Sequence, residues 1–357
     1  MEVKNPIQNL LYFAFILCVS CACYLQPVPD NFDRYIYEAL IRGRTQSIEA
    51  IYPIVKHESP RSEASSVLDS PQHLGQLEPL YAIRPLYIGA ISILSHRLAP
   101  QRSITLVSAL SLFLIAALLL IWTHNPLYSA LLLLTPALLT LGRMGTPDAF
   151  STLFVVAGFW LLTKNLIPPA IFMLLISVWI RTDNVLAVVA VLMWLAWTKR
   201  LSPLQAGGLI ALAVASVVFI NHSAGNYGYL VLFRYSFIAG KYPAAILPTL
   251  SVSEYLHAFR IGAESILPQT APWVLLGVAA WRWLPSARGL LVTTAAATTV
   301  HFVLFPSPEA RYLVWAYLLC GIMFVVGAST RGGILPNEIT AEPRPLAAQQ
   351  GAYCATG

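Results

Sequence analysis

The stretch SITLVSALSLFLIAALLLIW at residues 103–122 decides the fold class, because it is apolar, carries no charge and is long enough to cross a bilayer as a helix. Of the 357 residues, 57% are hydrophobic and 11% are charged, whereas an average soluble domain has about 25% charged residues. Lipid tolerates an apolar surface when helices satisfy the backbone internally, and long apolar runs favour helices over the short strands of a barrel. The composition therefore predicts an integral membrane protein and excludes a soluble globular domain.

Further apolar runs predict an all-α, polytopic transmembrane helix bundle of about ten spans. The runs lie at residues 8–26, 103–122, 126–141, 149–164, 166–181, 184–199, 203–221, 271–285, 289–305 and 311–329. Together they predict a single transmembrane domain over residues 1–331. Residues 332–357 contain Pro and Gln without periodicity, which predicts a disordered cytoplasmic tail.

Residues 85–99 (PLYIGAISILSHRLA) determine the predicted direction of the spans. Their unbroken apolar part is short, which favours a helix lying in the outer membrane interface over a further span. With a cytoplasmic N-terminus, the short cytoplasmic turns then contain basic residues and no acidic ones, namely Lys164, Lys199, Arg200, Arg282 and Arg288. Because this is the positive-inside pattern, we expect both termini in the cytoplasm, in a bacterial inner membrane.

The same topology leaves two long segments on the outer face, residues 27–102 and residues 222–270. The first is predicted to contain the interfacial helices, and loops of this length are usually functional or disordered. All acidic residues between positions 30 and 309 also fall on the outer side. Ionisable groups at membrane depth are costly unless they are paired or hydrated, so this segregation indicates a polar chamber that opens outwards.

Several classes of partner find no support in the sequence. The net charge is +6, but the Lys and Arg residues lie singly between spans, so no nucleic acid is predicted. The seven His and five Cys residues show no metal-ligand spacing, so no metal site and no cofactor are predicted, although a divalent metal is left open. His301 lies within a span, where a satisfied packing role is the favoured interpretation.

Asp33 is the first candidate for catalysis. It follows the first span at the start of an amphipathic outer helix, with Tyr37 on the same face one turn later. A carboxylate at the membrane–water boundary suits a general base that deprotonates a hydroxyl acceptor. Asp30 is the alternative base. The competing interpretation is that Asp30 is an N-cap and Asp33 a solvated first-turn acid, and the residues alone leave both interpretations open.

Charged residues also occur in pairs at the outer ends of other spans. The pairs are Arg143 and Asp148 in GRMGTPDAF, Arg181 and Asp183 in WIRTDN, and Glu309 and Arg311 in PSPEARYL. Together with Asp33 they are expected to line one polar site. Arginine binds phosphate groups through two parallel hydrogen bonds, so such a site would suit a phosphate or pyrophosphate.

Four short motifs occur in a distinctive order along the chain. They are D-x-x-x-Y at Asp33–Tyr37, R-P-L-Y beginning at Arg84, R-x-x-x-P-D at Arg143–Asp148 and E-x-R-Y-L at Glu309–Leu313. This order resembles the GT-C-type membrane glycosyltransferases, a group that includes protein O-mannosyltransferases and aminoarabinose transferases. The resemblance covers roughly residues 8–200, with Glu309–Leu313 as a further match.

The resemblance implies transfer of a sugar from a polyprenyl-phosphate donor to a glycan, lipid or protein acceptor on the outer face. It implies that a first-loop aspartate acts as general base, and Asp33 matches that position. Arg34 follows it where the family often has a second acid, which argues against a metal there. Residues implied to bind the substrates are Tyr37, Arg84, Arg143, Asp148, Arg181, Asp183, Arg234, Lys241, Glu309 and Arg311.

Two other functions stay open. A transporter or flippase of lipid-linked sugars would predict inverted repeats and charged groups near span centres, and neither pattern is evident. A polysaccharide polymerase or ligase also uses outer-face arginines with lipid-linked oligosaccharides. Its large late outer loop is partly matched by residues 222–270.

Overall fold

A computed structural model describes residues 6–28, 31–58, 68–238 and 242–331, and all regular structure in these ranges is helical. The predicted tail at 332–357 lies outside the described residues. The α-helices are α1 Pro6–Leu25, α2 Phe32–Arg42, α3 Ile48–Glu58, α4 Pro71–Tyr81, α5 Pro85–Ser95, α6 Pro100–Thr123, α7 Pro126–Leu133, α8 Pro136–Arg143, α9 Pro147–Thr163, α10 Ile167–Ile180, α11 Val185–Trp197, α12 Pro203–Ser223, α13 Tyr229–Phe237, α14 Val252–Trp283, α15 Arg288–Leu304 and α16 Val314–Arg331. Short 3-10 turns lie at Thr182–Asn184, Pro243–Ala245, Pro285–Ala287 and Ala310–Leu313.

Five helical segments are long and apolar enough to cross a membrane. They are Pro6–Leu25, Pro100–Thr123, Pro203–Ser223, Pro285–Leu304 and Ala310–Arg331. The bent pairs α4–α5 and α7–α8 raise the number to seven if each pair is one span, and α9, α10 and the segment at α11 are apolar but shorter. The chain is thus an all-helical integral membrane protein with five to seven candidate spans, and the count of about ten stays a prediction.

Two predicted runs differ from the helices observed, and proline breaks the helix in only one of them. The run at 126–141 is two helices bent by 65°, because Pro136 lacks the backbone N–H that would continue α7 and instead begins α8. In contrast, α14 continues through Pro268 and Pro272 and begins at Val252. A single helix therefore joins the predicted outer segment 222–270 to the predicted span 271–285.

The helices differ in how much of their apolar surface faces protein. The most apolar stretch of α16 is 78% buried and that of α6 is 67% buried, so these two helices are central. The corresponding stretches of α1 and α12 are only 22% and 17% buried, which leaves most of their apolar side chains facing outwards. In a bilayer this peripheral surface would contact lipid.

Helix α2 is held between two separate apolar clusters. Ile36 and Ala39 pack with residues of α3 and α4, whereas Tyr37 and Ile41 pack with residues of α5, α6 and α10. The sequence predicted an amphipathic helix here, and its apolar positions Phe32, Ile36 and Leu40 do pack in the cluster with α3 and α4. The side that carries Tyr37 is also buried, because α5, α6 and α10 pack against it. The start of α2 is thereby fixed against the bundle.

Candidate active site

Asn31 caps α2 and fixes the position of Asp33. Its side-chain Oδ1 accepts a hydrogen bond from the Asp33 N–H at 3.1 Å, and its Nδ2 donates to the carbonyl of Met144 in the α8–α9 junction. An asparagine N-cap satisfies one of the free N–H groups of the first turn. The N-cap role that we considered for Asp30 therefore belongs to Asn31. Asp30 itself lies outside the described residues.

Asp33 is paired on both of its carboxylate oxygens. The Tyr81 hydroxyl donates to Oδ1 at 2.6 Å, and Arg311 Nη1 donates to Oδ2 at 2.5 Å. The Asp33 side chain is only 17% exposed, so it is not a solvated first-turn acid. Burial acts to raise the pKa of Asp33, but Arg311 and the Tyr81 hydrogen bond outweigh it and hold the pKa below its ordinary value. Asp33 is accordingly ionised at neutral pH.

A second carboxylate, Asp148, lies in the first turn of α9 after Pro147. It is almost fully buried, and its Oδ2 accepts a hydrogen bond from Thr146 Oγ1 at 2.6 Å. Its Oδ1 pairs with Arg181 from the end of α10. The predicted neighbour Arg143 donates instead to the carbonyl of Gln26 at 2.7 Å, which anchors the end of α1.

Arg181 also pairs with Asp183, which extends the network to α15. Arg181 Nε and Nη2 donate to the two oxygens of Asp183 at 3.0 and 2.6 Å. On its other side, Asp183 Oδ2 lies 3.0 Å from Nε2 of His301. The interpretation of His301 as a packing residue is therefore incomplete, since it belongs to the charged network. Its position one turn before the end of α15 was the signal available in the sequence.

Tyr312 lies between the two arginines of the network. The Arg181 guanidinium carbon is 4.7 Å and the Arg311 guanidinium carbon 5.0 Å from the centroid of its ring. Arg311 Nη2 also donates to the Tyr312 hydroxyl at 3.1 Å, and Arg311 forms an ion pair with Glu309. Cations are attracted to the face of an aromatic ring, so Tyr312 helps to hold two positive groups near each other.

The carboxylates outnumber the arginines in this network. Asp33, Asp148, Asp183 and Glu309 face Arg181 and Arg311, and Arg311 Nη1 lies 3.7 Å from Asp148 in addition to its pairs with Asp33 and Glu309. Neither arginine is a free cation. An anionic ligand would bind Arg311 only by replacing a carboxylate that it now contacts.

A cavity of about 420 Å³ opens beside the network. Its walls include Asp33, Tyr81, Glu309, Arg311 and Tyr312, together with His73 and Tyr235. Asp148, Arg181 and Asp183 do not line it and lie behind Arg311 and Tyr312. The network thus has a layer that faces the cavity and a buried layer that supports it.

The cavity wall includes aromatic and His side chains that the sequence analysis did not single out. Burial raises the pKa of Tyr235 to about 12, with a smaller contribution from Asp33. Tyr81 bonds Asp33, and Tyr312 lies within the E-x-R-Y-L motif next to Arg311. Only Tyr312 had a sequence signal, because it lies inside a motif.

Other predicted substrate-binding residues lie beside the network or away from it. Tyr37 is buried with its ring centroid 5.4 Å from that of Tyr81. Arg84 lies over the rings of Tyr37 and Tyr81, at 5.7 and 5.3 Å, and forms no ion pair within the described residues. Arg234 pairs with Glu254 at 3.1 Å, donates to the carbonyl of Thr249 at 2.7 Å and does not line the cavity. Lys241 lies outside the described residues.

The described residues contain no group of three or more His, Cys, Asp or Glu side chains placed to hold a metal ion. Comparison of the chain with protein-family models, with curated proteins and with solved structures found no match. The residues of the cavity and of the network behind it are therefore the only basis for a functional assignment.

Proposed function

We propose that this protein is a membrane glycosyltransferase that moves a sugar from a polyprenyl-phosphate donor to a lipid, glycan or protein hydroxyl. The observation that carries the proposal is the contact of Asp33 with Arg311, which are 278 residues apart and line one polar cavity. The transfer needs a base for the acceptor hydroxyl and a cation for the phosphate leaving group. The Asp33–Arg311 pair supplies both.

The reaction follows from this pair. The acceptor oxygen attacks the anomeric carbon of the sugar while Asp33 removes the hydroxyl proton. The bond between that carbon and the phosphate oxygen breaks, and the polyprenyl phosphate leaves with the bonding electrons. Arg311 stabilises the negative charge that grows on the phosphate, and it does so most effectively where water is excluded.

Donor binding also makes Asp33 available as the base. The phosphate replaces a carboxylate partner of Arg311, which releases Oδ2 of Asp33 for the acceptor hydroxyl. Tyr81 keeps its hydrogen bond to Oδ1 and so holds the carboxylate in place. Base and cation are thus kept paired until the donor arrives.

The buried layer positions Arg311 and Tyr312. Arg181 joins Asp148 to Asp183, and Thr146 holds the other oxygen of Asp148. Breaking a buried ion pair leaves an uncompensated charge, so these residues resist displacement. We assign them a positioning role, because they do not line the cavity.

An apolar groove supports a lipid-linked donor. A second cavity, of about 800 Å³, runs between α11 and α15 with Leu186, Val189, Val292 and Val300 among its lining residues. Leu186 follows Asp183 within one helical turn, and Val300 directly precedes His301. A polyprenyl chain in this groove would have its phosphate end beside the charged network.

The proposed membrane topology has about ten crossings with both termini in the cytoplasm of a bacterial cell. Asp148 at the start of α9 contacts Arg181 at the end of α10. His301 near the end of α15 and Tyr312 just before α16 are linked through Asp183 and Arg181. Each of these helix pairs therefore runs in opposite directions, as successive spans do. The 117° bend between α4 and α5 supports an interfacial α5 on the outer face.

The test is sugar transfer by purified protein in liposomes, with a panel of polyprenyl-phosphate sugars and extracted membrane lipids and glycans as acceptors. We expect release of polyprenyl phosphate with the wild type, and a loss of about 10²- to 10⁴-fold in Asp33→Asn, which removes the base but keeps a similar shape. Glu264→Gln is the matched control, because Glu264 is 62% exposed and lies on α14 away from the cavity.

Three other outcomes would contradict the proposal. Full activity in Asp33→Asn would remove Asp33 from the reaction. Movement of an intact lipid-linked sugar across the bilayer without bond cleavage would identify a transporter. Transfer of a whole oligosaccharide chain would identify a polymerase or ligase.

A further inference from the structure

His73 is held tightly in the wall of the cavity near the start of α4. The helix is capped by Ser70, whose Oγ accepts from the His73 N–H at 3.1 Å. The imidazole is fully buried, and its Nδ1 lies 3.0 Å from Oδ1 of Asp69. Tyr242 donates to the other oxygen of Asp69 at 2.9 Å, and its ring centroid lies 4.6 Å from that of the imidazole. One edge and one face of the ring are thereby fixed.

This arrangement determines the tautomer of His73. An ionised aspartate only accepts hydrogen bonds, so the Nδ1 that contacts Asp69 carries the proton. In the neutral ring the other nitrogen, Nε2, then has an unshared electron pair and acts as an acceptor. The Asp69 carboxylate therefore holds His73 in the tautomer whose Nε2 accepts.

Nε2 of His73 has no hydrogen-bond partner in the part of the chain that the structure describes. A buried polar atom without a partner is costly, and such atoms are rare in folded proteins. His73 shares the cavity wall with Asp33 and Arg311. The molecule that occupies the cavity is therefore the natural source of the missing donor.

We propose that Nε2 of His73 accepts a hydrogen bond from a hydroxyl group of the substrate bound in this cavity. The inference rests on the proposed function, in which the cavity holds both a sugar and an acceptor hydroxyl. Arg311 offers only donors, and Asp33 is assigned to the reacting hydroxyl. His73 is thus a neutral acceptor that recognises a second hydroxyl, and no proton is transferred to it.

Two substitutions separate this binding role from a purely structural one. In His73→Asn the amide can keep the contact with Asp69, but no acceptor remains at the position of Nε2. In His73→Gln the amide oxygen can reach the position of Nε2, but the contact with Asp69 is lost. We expect kcat/KM to fall about tenfold in His73→Asn and by less in His73→Gln. A structural role alone would give the reverse order and would overturn the proposal.

His57→Asn provides the matched control, because it makes the same change at an exposed histidine of α3. The thermal unfolding midpoint of each variant shows whether the protein still folds. Unchanged kcat/KM in both His73 variants would also overturn the proposal.

The source of the hydroxyl is found by comparing transfer with hydrolysis. If the hydroxyl belongs to the donor sugar, His73→Asn slows both transfer to the acceptor and hydrolysis of the donor by water. If it belongs to the acceptor, only transfer slows. Both results support the hydrogen bond and identify its partner.

The tautomer is measured without reference to activity. ¹⁵N-histidine NMR of the protein in lipid bilayers, with His73→Asn used to assign the signal, should show a protonated Nδ1 and an unprotonated Nε2. Addition of a panel of methyl glycosides should shift the Nε2 signal. This result with no sugar transfer would reject the glycosyltransferase and keep the His73 site, whereas a protonated Nε2 or an unshifted signal would reject the His73 site alone.

Discussion

In the proposed mechanism, Asp33 has to meet two opposing requirements with one carboxylate. A general base should have some affinity for a proton, yet the contact with Arg311 and the hydrogen bond from Tyr81 keep the pKa of Asp33 below its ordinary value. The proposed exchange of Arg311 from Asp33 to the donor phosphate would resolve this conflict, because it would remove the nearest positive charge. Asp33 would then become a stronger base only in the donor complex, where the reaction takes place.

The pH dependence of the reaction should reveal this exchange. In the free enzyme the pKa of Asp33 lies below its ordinary value of 3.8, so Asp33 is ionised throughout the range from pH 5 to about 7. Protonation of Asp33 should therefore cause no decline of kcat/KM within that range. In the donor complex the pKa of Asp33 rises, so the acidic decline of kcat should lie at higher pH than that of kcat/KM. Initial rates across a range of pH values measure both profiles.

Tyr81→Phe provides the comparison for these profiles. It removes the hydrogen bond that lowers the pKa of Asp33, so the acidic decline of kcat/KM should move to higher pH. The lowered pKa also affects the stability of the fold. The Asp33–Arg311 contact stabilises the protein fully at pH values above the ordinary pKa of Asp33, and this stabilisation is lost as the pH falls through the lowered pKa of the folded protein. Coincident declines of kcat and kcat/KM would argue against the exchange.

The residues that could be predicted are those with a local signal. Asp33 and Arg311 stood in motifs at helix starts, and Asp148 followed a proline that begins a helix. The partners of these residues could not be predicted, because they come from other helices. Asp148 pairs with Arg181, 33 positions away, and not with its near neighbour Arg143. Sequence adjacency says nothing about which helix ends meet in the bundle.

At the scale of elements, the segment that carries Glu309 and Arg311 depends on close packing against α14. Gly262 of α14 faces the carbonyl of Pro306, and a Cβ at this position would overlap the Pro306 oxygen. Backbone atoms cannot rotate aside as side chains do. The short segment before α16 is therefore held at its present position by the absence of a side chain on α14.

Gly262→Ala should displace this segment and with it Arg311. We expect sugar transfer to fall at least tenfold and the protein to lose about 1–3 kcal/mol of stability, the usual cost of overpacking. Gly208→Ala on α12 is the matched control, since a Cβ there meets nothing within 4 Å. Transfer rates and thermal unfolding midpoints measure the two effects. Equal behaviour of the two variants would show that α14 does not position the segment.

Helix types were easier to predict than helix breaks and packing. The apolar runs at 103–122 and 149–164 correspond to the single helices α6 and α9. The run at 126–141 gave no indication of its 65° bend beyond Pro136, and the burial of both sides of α2 required α5, α6 and α10 to pack against the side that carries Tyr37. The apolar periodicity and the composition of a segment describe one helix at a time, whereas the bend between α7 and α8 and the burial of α2 depend on contacts between helices.

At the scale of the whole molecule, the direction of the chain in the membrane is the assignment on which the function depends. The cavity and the charged network join helix ends that lie together, and the positive-inside pattern predicts that these ends lie on the outer side. A polyprenyl-linked sugar presented at that side would reach Arg311 directly. On the cytoplasmic side, soluble activated sugars would compete as donors.

Cysteine labelling with a membrane-impermeant reagent tests this direction. In a variant whose native cysteines are replaced, Ser253→Cys should be labelled from outside intact cells, and Lys199→Cys only after the membrane is opened. Both positions are exposed, so accessibility within the protein does not limit the reaction. External labelling at position 199 with none at position 253 would reverse the topology and rule out an outer-face donor.

The ring of Tyr312 has a consequence for the order of events in catalysis. It lies within cation–π distance of Arg311, which lines the cavity, and of Arg181, which pairs with Asp183. When a phosphate draws Arg311 away, the ring loses one of its two cations and can hold the other more strongly. In the proposed mechanism, donor binding at Arg311 would therefore also strengthen the hold on Arg181 and its partner Asp183, which lies within one helical turn of Leu186 in the apolar groove.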